Sequence, residues 1–232
     1  MTSRARSRPA ARPAADAEKE PAARARLEVD ERRAQLLALG LSIFSERSYD
    51  EVSIDDIARA AGVSKGLLYH YFPTKRDYYV AALRAASKEL LDQTLRTTPD
   101  ASPEQEIECA LRTYLAYVER HGPAYVALMR GGIGSDPEVA AVLEETRTTF
   151  LGRIVAGLPP EATGPLVHTA MRGWIGFVEA ASIDWVARRS VPVEQIVALA
   201  KALLFDVLRA ATEFSPTNEP APPKKKTTKK AR

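Results

Sequence analysis

Three histidines, one cysteine and a dense run of hydroxyl and basic side chains are where this 232-residue chain could do chemistry. His70, His121 and His168 stand far apart, without the paired spacing that holds a metal on one helix face. Cys109 has no second cysteine with which to form a disulfide or a metal pair. No Ser-His-Asp set sits in the strand-turn-helix context that activates a nucleophile. Gly131-Gly132-Ile133-Gly134 follows no strand, so it does not read as a nucleotide-binding loop. The chain is therefore read as a non-enzyme that needs no cofactor and no metal. What remains is a concentration of donors between Ser53 and Lys75. Ser53, Ser64, Lys65, Tyr69, His70, Tyr71 and Lys75 carry hydroxyl, ammonium and imidazole groups. Gly66 adds bare backbone and Leu67 an apolar tip.

These residues need elements to hold them, and the surrounding pattern is helical. Leu37, Leu41 and Phe44 share one face of a first helix, for which Asp30 is the expected cap. Ile54, Ile57, Ala58 and Ala61 mark a short second helix with Ser53 as its N-cap. Gly62 supplies the positive φ of a tight turn, and Ala58 and Ala61 are small enough for close helix contact. Ser64 caps a third helix carrying Leu67, Leu68 and Tyr71, which Pro73 ends. Val63 and Leu68 should pin this third helix to the bundle, leaving Lys65, Gly66, Leu67 and Tyr69 outward. Two short helices around a glycine turn, at about Val52 to Tyr71, are a helix-turn-helix, and the predicted partner is double-stranded DNA.

The stretch from Arg33 to Leu83 resembles the N-terminal domain of the TetR (TetR/AcrR) family of bacterial regulators. The resemblance rests on Leu36-Leu37, Phe44, Tyr49-Asp50, Asp56-Ile57-Ala58, Ala61-Gly62-Val63-Ser64-Lys65-Gly66, Leu68-Tyr69-His70-Tyr71-Phe72 and Lys75. It implies that Ser53 bonds a phosphate as well as capping its helix, the alternative being capping alone. It implies that Lys65 reaches a phosphate or a base edge, that Gly66 lets backbone approach DNA, and that Leu67, where many members have Thr, touches a thymine methyl. Tyr69, Tyr71 and Lys75 would bind phosphates. His70 and Phe72 would pack within the domain, with a phosphate as the alternative for His70. Two departures stand out. Gly40 occupies a position usually held by Ala, at an expected cost of roughly 1 kcal/mol of helix stability. Ser48 replaces an expected glycine, and costs strain if the turn needs a left-handed residue.

Beyond Thr97-Thr98-Pro99-Asp100, helices are predicted at about Pro103–Arg120, Pro123–Met129, Pro137–Ala156, Gly164–Arg188 and Pro192–Phe214. No stretch alternates long enough to suggest a sheet. The fold class is all-α: an N-terminal three-helix helix-turn-helix domain (27–79) followed by a larger C-terminal helical bundle (80–214). In the family the C-terminal helices form a two-fold dimer around a pocket for a small-molecule inducer. The matching residues here are the small-residue stripe Gly173, Gly176, Ala180 and Ala181 on the penultimate helix and Ile196, Leu199, Leu203 and Leu204 on the last, for a homodimer, the alternative being ordinary packing within one chain. Pocket candidates are Tyr114, Tyr117, Tyr125, Met129, Met171, Trp174 and Phe177, with His121, His168, Arg130 or Arg172 as polar groups, although plain core packing explains any one of them. The resemblance thus implies a ligand-released homodimeric repressor on a palindromic operator, with an activator or a ligand-independent regulator as the alternative.

Composition sets the frame. The net charge is +3, but residues 1–26 carry +4 and residues 215–232 carry +5, leaving the body at −6. Both ends lack large apolar residues and are expected to be disordered arms, either touching DNA phosphates or only solubilising. No apolar run reaches the roughly 20 residues of a membrane span. The expected location is cytoplasmic, with no membrane partner.

Overall fold

The computed structural model describes residues 14–97, 99–130 and 132–215. Every regular element among them is helical: α1 (Ala14–Glu46), α2 (Ile54–Ala61), α3 (Lys65–Tyr71), α4 (Lys75–Thr94), α5 (Pro103–Arg120), α6 (Gly122–Arg130), α7 (Pro137–Ala156), α8 (Pro165–Arg188) and α9 (Val193–Glu213). Short 3-10 turns occupy Gly132–Ser135 and Pro160–Ala162. The all-α expectation is met. One expectation is corrected. The first helix begins at Ala14, not at Asp30, so residues 14–26 are helical rather than part of a disordered arm. Ala, Glu, Lys and Arg dominate that segment, and all four favour helix even where little can be buried. Met1–Pro13 and Pro216–Arg232, the rest of the two expected arms, lie outside the described residues.

The chain packs as two compact units. The first takes in the described residues up to Gln93 together with 116–146; the second takes in 94–115 and the described residues from 147 onward. In the first unit, residues of α4, α6 and α7 share one buried cluster with the helix-turn-helix, including Tyr78, Tyr79, Leu128, Val139 and Val142 beside Leu36, Ile57 and Leu68. The buried face of α1 runs Leu36, Gly40, Phe44 rather than Leu37, Leu41, Phe44; Leu37 and Leu41 are half-buried. Aromatic rings fill the centre. Phe44 meets Tyr79 edge-on at 4.8 Å, and Phe72 meets Tyr78 at 4.9 Å. Burying each such ring is worth about 1.5–3 kcal/mol.

Gly40 is explained by this packing. The Tyr78 hydroxyl donates to the Leu36 carbonyl at 2.6 Å, and a Cβ at residue 40 would lie 2.7 Å from that hydroxyl. Ser48 is not left-handed: the described non-glycine residues with positive φ are Asp100 and Arg189. Its turn is closed instead by the Glu51 carboxylate, which accepts from the Ser48 N–H and hydroxyl, each at 2.8 Å.

Ion pairs fasten α4 to the start of α7. The Arg76 guanidinium donates to both Asp136 oxygens, at 2.6 and 2.7 Å, and to Glu138 at 3.0 Å. Arg84 reaches Glu145 at 2.7 Å. Asp136 also accepts from the backbone N–H groups of Glu138 and Val139, so it caps α7 as well. In the second unit, α8 and α9 pack along Val167, Met171, Trp174, Val178, Val197, Ala200 and Leu204, all buried. The Trp174 indole donates to the Ala200 carbonyl at 2.8 Å. Lys201 pairs with Glu108 at 2.6 Å, and Arg147 with Glu179 at 2.8 Å.

Candidate nucleic-acid interface

The connection from α2 to α3 is built by local rules. Ser53 closes a capping box: its Oγ accepts from the Asp56 N–H at 3.1 Å, and the Asp56 carboxylate accepts from the Ser53 N–H at 3.1 Å. The Ser53 hydroxyl also donates to that carboxylate at 2.7 Å, and this bond first, then the one from the Ser53 N–H, holds the Asp56 carboxyl below the ordinary aspartate range. At the other end Gly62 sits at φ 62°. Its N–H donates to the Arg59 carbonyl, and the Val63 N–H donates back to the Ala58 carbonyl at 3.0 Å. This pair of bonds is the Schellman stop, which satisfies carbonyls that the helix end leaves open. Ser64 then caps α3 by accepting from the Leu67 N–H at 3.2 Å.

The caps fix which side of α3 faces out. Leu68 is fully buried and Phe72 nearly so, and Val63 is packed against the same cluster. Lys65, Gly66, Leu67, Tyr69 and His70 are exposed. Leu67 and Tyr69 are apolar side chains left 38% and 45% accessible on a seven-residue helix. A Cβ on Gly66 would meet nothing closer than the Ser64 hydroxyl at 3.9 Å, so no packing inside the protein requires a glycine there. Ser53 and Ser64 are exposed at the starts of their helices.

One placement differs from expectation. His70 is exposed rather than packed inside, and its ring meets the edge of Tyr71 at 5.5 Å. Tyr71 is half-buried against the core cluster. Lys75, half-buried at the start of α4, lies with Nζ 4.1 Å from the centre of the Tyr49 ring, a cation–π contact. Sequence reasoning missed one partner altogether. Lys65 Nζ stands 2.5 Å from Asp55 Oδ1 across the turn. The second cation of this stretch, Arg59, reaches Asp56 at 3.3 Å.

The residues suggested for an effector fall in both units. Tyr117, Tyr125 and Met129 belong to the first; Tyr114, Met171, Trp174 and Phe177 belong to the second. Tyr114, Tyr117, Met171 and Trp174 are buried, while Tyr125, Met129 and Phe177 are half-buried. Several polar handles are already engaged: the Tyr117 hydroxyl donates to the Ala86 carbonyl at 3.3 Å, and the Trp174 indole to Ala200. Among the suggested polar groups, His121 has a buried Nε2 with no hydrogen-bond partner, and burial pushes its imidazole pKa down. His168 and Arg130 are exposed.

On α8, Leu166, Gly173 and Ala180 are exposed at seven-residue spacing, and Gly176 is half-buried with open space where a Cβ would stand. On α9, Leu199 is 54% accessible and Leu203 half-buried. No described helix is long and apolar enough to cross a membrane.

A capped helix, a left-handed glycine stop and a second capped helix with outward Lys, Leu and Tyr make a helix-turn-helix, the docking unit of DNA-binding regulators of transcription. Comparison with known proteins agrees. Residues 36–82 match the family described as bacterial regulatory proteins, tetR family, and residues 103–206 match the tetracyclin repressor-like C-terminal domain. The transcriptional activator FasR of Mycolicibacterium smegmatis is 33% identical over 162 residues, covering 68% of this chain and 72% of FasR. The transcriptional repressor KstR of Rhodococcus jostii is 29% identical over 161 residues, covering 69% of this chain and 75% of KstR. A solved tetR-family regulator from Streptomyces coelicolor superposes with a TM-score of 0.67 at 33% identity, over 82% of this chain and 92% of that one. The chain belongs to the TetR family of DNA-binding transcriptional regulators.

Proposed function

We propose that this regulator is a homodimeric repressor that holds a palindromic operator through α3 and leaves it on binding a small, largely apolar ligand. The observation that carries the DNA half is the outward face of α3, where Gly66, Leu67 and Tyr69 are exposed while Leu68 anchors the helix. On this reading Lys65 and Leu67 read base edges, and Gly66 lets the backbone close on the duplex. Ser53, Ser64, Tyr69, His70, Tyr71 and Lys75 position the protein on phosphates. One such helix reads only a few base pairs, so a second copy is needed for selectivity.

The dimer half rests on the exposed stripe Leu166, Gly173, Ala180 of α8 beside Leu199 of α9. Small residues there allow a second copy to approach closely, with Gly176 and Leu203 at the margin. The effector half rests on residues of the first unit, the half-buried Tyr125 and Met129 and the orphaned Nε2 of His121, whose ring lies 4.4 Å from that of Tyr117. A ligand that favours a state with wrongly spaced recognition helices would shift the population off DNA. A regulator of this kind works where the DNA is, in the bacterial cytoplasm. The activator FasR among the relatives favours one second reading, that the bound dimer activates. Selection of duplexes from a random pool, followed by transcription from a promoter bearing the enriched site, tests the proposal. A palindrome that silences transcription when bound supports it; enrichment of no sequence overturns it.

A further inference from the structure

Asp55 and Lys65 stand at the first turns of α2 and α3, and the Schellman turn at Gly62 brings them together. Lys65 Nζ lies 2.5 Å from Asp55 Oδ1, with the two side chains 55% and 53% accessible. Between Val52 and Phe72 the sequence holds two cations, Arg59 and Lys65, and two carboxylates, Asp55 and Asp56. Each cation is paired with one of the carboxylates. The unit therefore offers DNA no surplus positive charge of its own.

The two pairs are not equivalent. Asp56 is tied to the Ser53 N–H and hydroxyl, at 3.1 and 2.7 Å, and belongs to the cap. Among the described residues, the partner of Asp55 is Lys65. An exposed pair of this kind is weak and exchanges readily. We propose that Asp55 tunes the affinity of the DNA interface: it holds the Lys65 ammonium in an internal pair that must break before Lys65 passes to DNA, so that every site that uses Lys65 pays for the lost pair. This rests on α3 being the reading helix.

The physical reason lies in what separates specific from non-specific binding. Non-specific affinity comes almost wholly from cations that neutralise phosphates and release counterions. A lysine held by a carboxylate adds nothing to that sum unless it abandons its partner, and the abandoned carboxylate then faces a phosphate. On a matched site the lysine gains a fixed acceptor, such as guanine O6 and N7, which offsets the lost pair. Asp55 thus weakens the matched site by the whole worth of the pair, and other sequences by no more than that.

The test is a cycle of Asp55→Asn, Lys65→Ala and the double variant. Each is titrated across a salt series against a duplex of scrambled sequence and against the duplex most enriched from a random pool by the wild-type protein. Asp55→Asn should tighten binding to the enriched duplex about two- to fivefold, the worth of an exposed pair. On the scrambled duplex the gain should be no larger, and should steepen the slope of log affinity on log salt by about 0.9 for each phosphate newly neutralised by Lys65. With Lys65→Ala present both gains should disappear. No tightening on the enriched duplex, or the same gain without Lys65, overturns the proposal while leaving α3 as the reading helix. If Lys65→Ala leaves binding to the enriched duplex unchanged, the placement of α3 on DNA falls and this inference with it. Asp55→Ser, which keeps a small polar residue at the helix start, repeats the measurement should Asp55→Asn melt α2.

Discussion

The ring of Tyr78 lies against the backbone of Gly40, so that a Cβ on residue 40 would stand 2.7 Å from its hydroxyl and 2.9 Å from Cζ. The ring cannot yield. It is fully buried, its hydroxyl donates to the Leu36 carbonyl, and Phe72 sits edge-on to it at 4.9 Å. Gly40→Ala should therefore destabilise the first unit by about 1–3 kcal/mol, the usual cost of overpacking, despite the better helix propensity of alanine. Urea denaturation reads this directly. Adding Tyr78→Phe should recover part of the loss by removing the nearest atom, but not all of it, because Cζ stays. A Gly40→Ala variant as stable as the parent would show that this contact does not constrain the core.

Gly66 should behave in the opposite way. Its site is open, and a Gly→Ala change in this first turn of α3 should stabilise the protein by up to about 0.5 kcal/mol, less than in a helix interior. The same methyl group would stand on the outward face of α3, where the duplex is proposed to close on bare backbone. The expected signature is a higher denaturation midpoint combined with weaker binding to the enriched duplex. Unchanged DNA affinity would remove Gly66 from the interface.

Acid should loosen the tie between α4 and α7. The Asp136 carboxyl is held below the ordinary aspartate range, first by the Arg76 guanidinium and then by the backbone N–H groups of Val139 and Glu138. A depressed carboxyl adds stability that is present above the unfolded aspartate value, about pH 4, and is lost as pH falls through its lower folded value. Asp136→Asn keeps an N-cap for α7, since asparagine caps about as well as aspartate, but removes the charge facing Arg76. At neutral pH this variant should be less stable than the parent. The gap should close as the pH drops below about 4. Asp56 and Glu51, also depressed, are present in both proteins and give both a shared acid decline. No gap at neutral pH would show that Asp136 acts only as a cap, and a gap of constant size down to low pH would show that its charge is not what stabilises the tie.

What the sequence disclosed followed from how local each signal is. Ser53, Gly62 and Ser64 act on neighbours within four residues, so their roles could be read directly and the structure has them as caps and stop. Proline and glycine punctuation likewise placed Pro103–Arg120 and Pro137–Ala156 at their observed ends. Signals that depend on distant partners were lost. Gly40 looked like a defect because Tyr78, 38 positions on, is what requires it. Arg76 drew no notice because Asp136 and Glu138 are about sixty residues away. Asp55 and Lys65 were both visible near the interface, yet their pairing depends on how one short helix is set against the next. The arm from Ala14 to Arg26 was misjudged because few apolar residues were taken to mean disorder, whereas helix propensity needs no core.

The exposed face of α8 and α9 makes the strongest demand on quaternary structure. Leu166, Gly173 and Ala180 repeat every seven residues on α8, and Leu199 stands 54% accessible on α9, while the opposite faces of both helices are buried around Met171, Trp174 and Val197. A second copy would bury the apolar face, gaining about 25 cal/mol for each Å² removed from water. A charge placed there is harmless to the isolated chain but must be desolvated, unpaired, in the dimer. Ala180→Glu and Leu199→Lys, made separately, should therefore leave the helical content and the denaturation midpoint of the first unit near those of the parent. Each should weaken self-association by at least about a hundredfold, because every dimer buries two such charges at several kcal/mol in total. Sedimentation velocity would show the change as a monomer at concentrations where the parent is dimeric. Binding to a palindromic duplex should fall in step, while binding to a single half-site should not change. Variants that still sediment as dimers would place the interface elsewhere on the molecule.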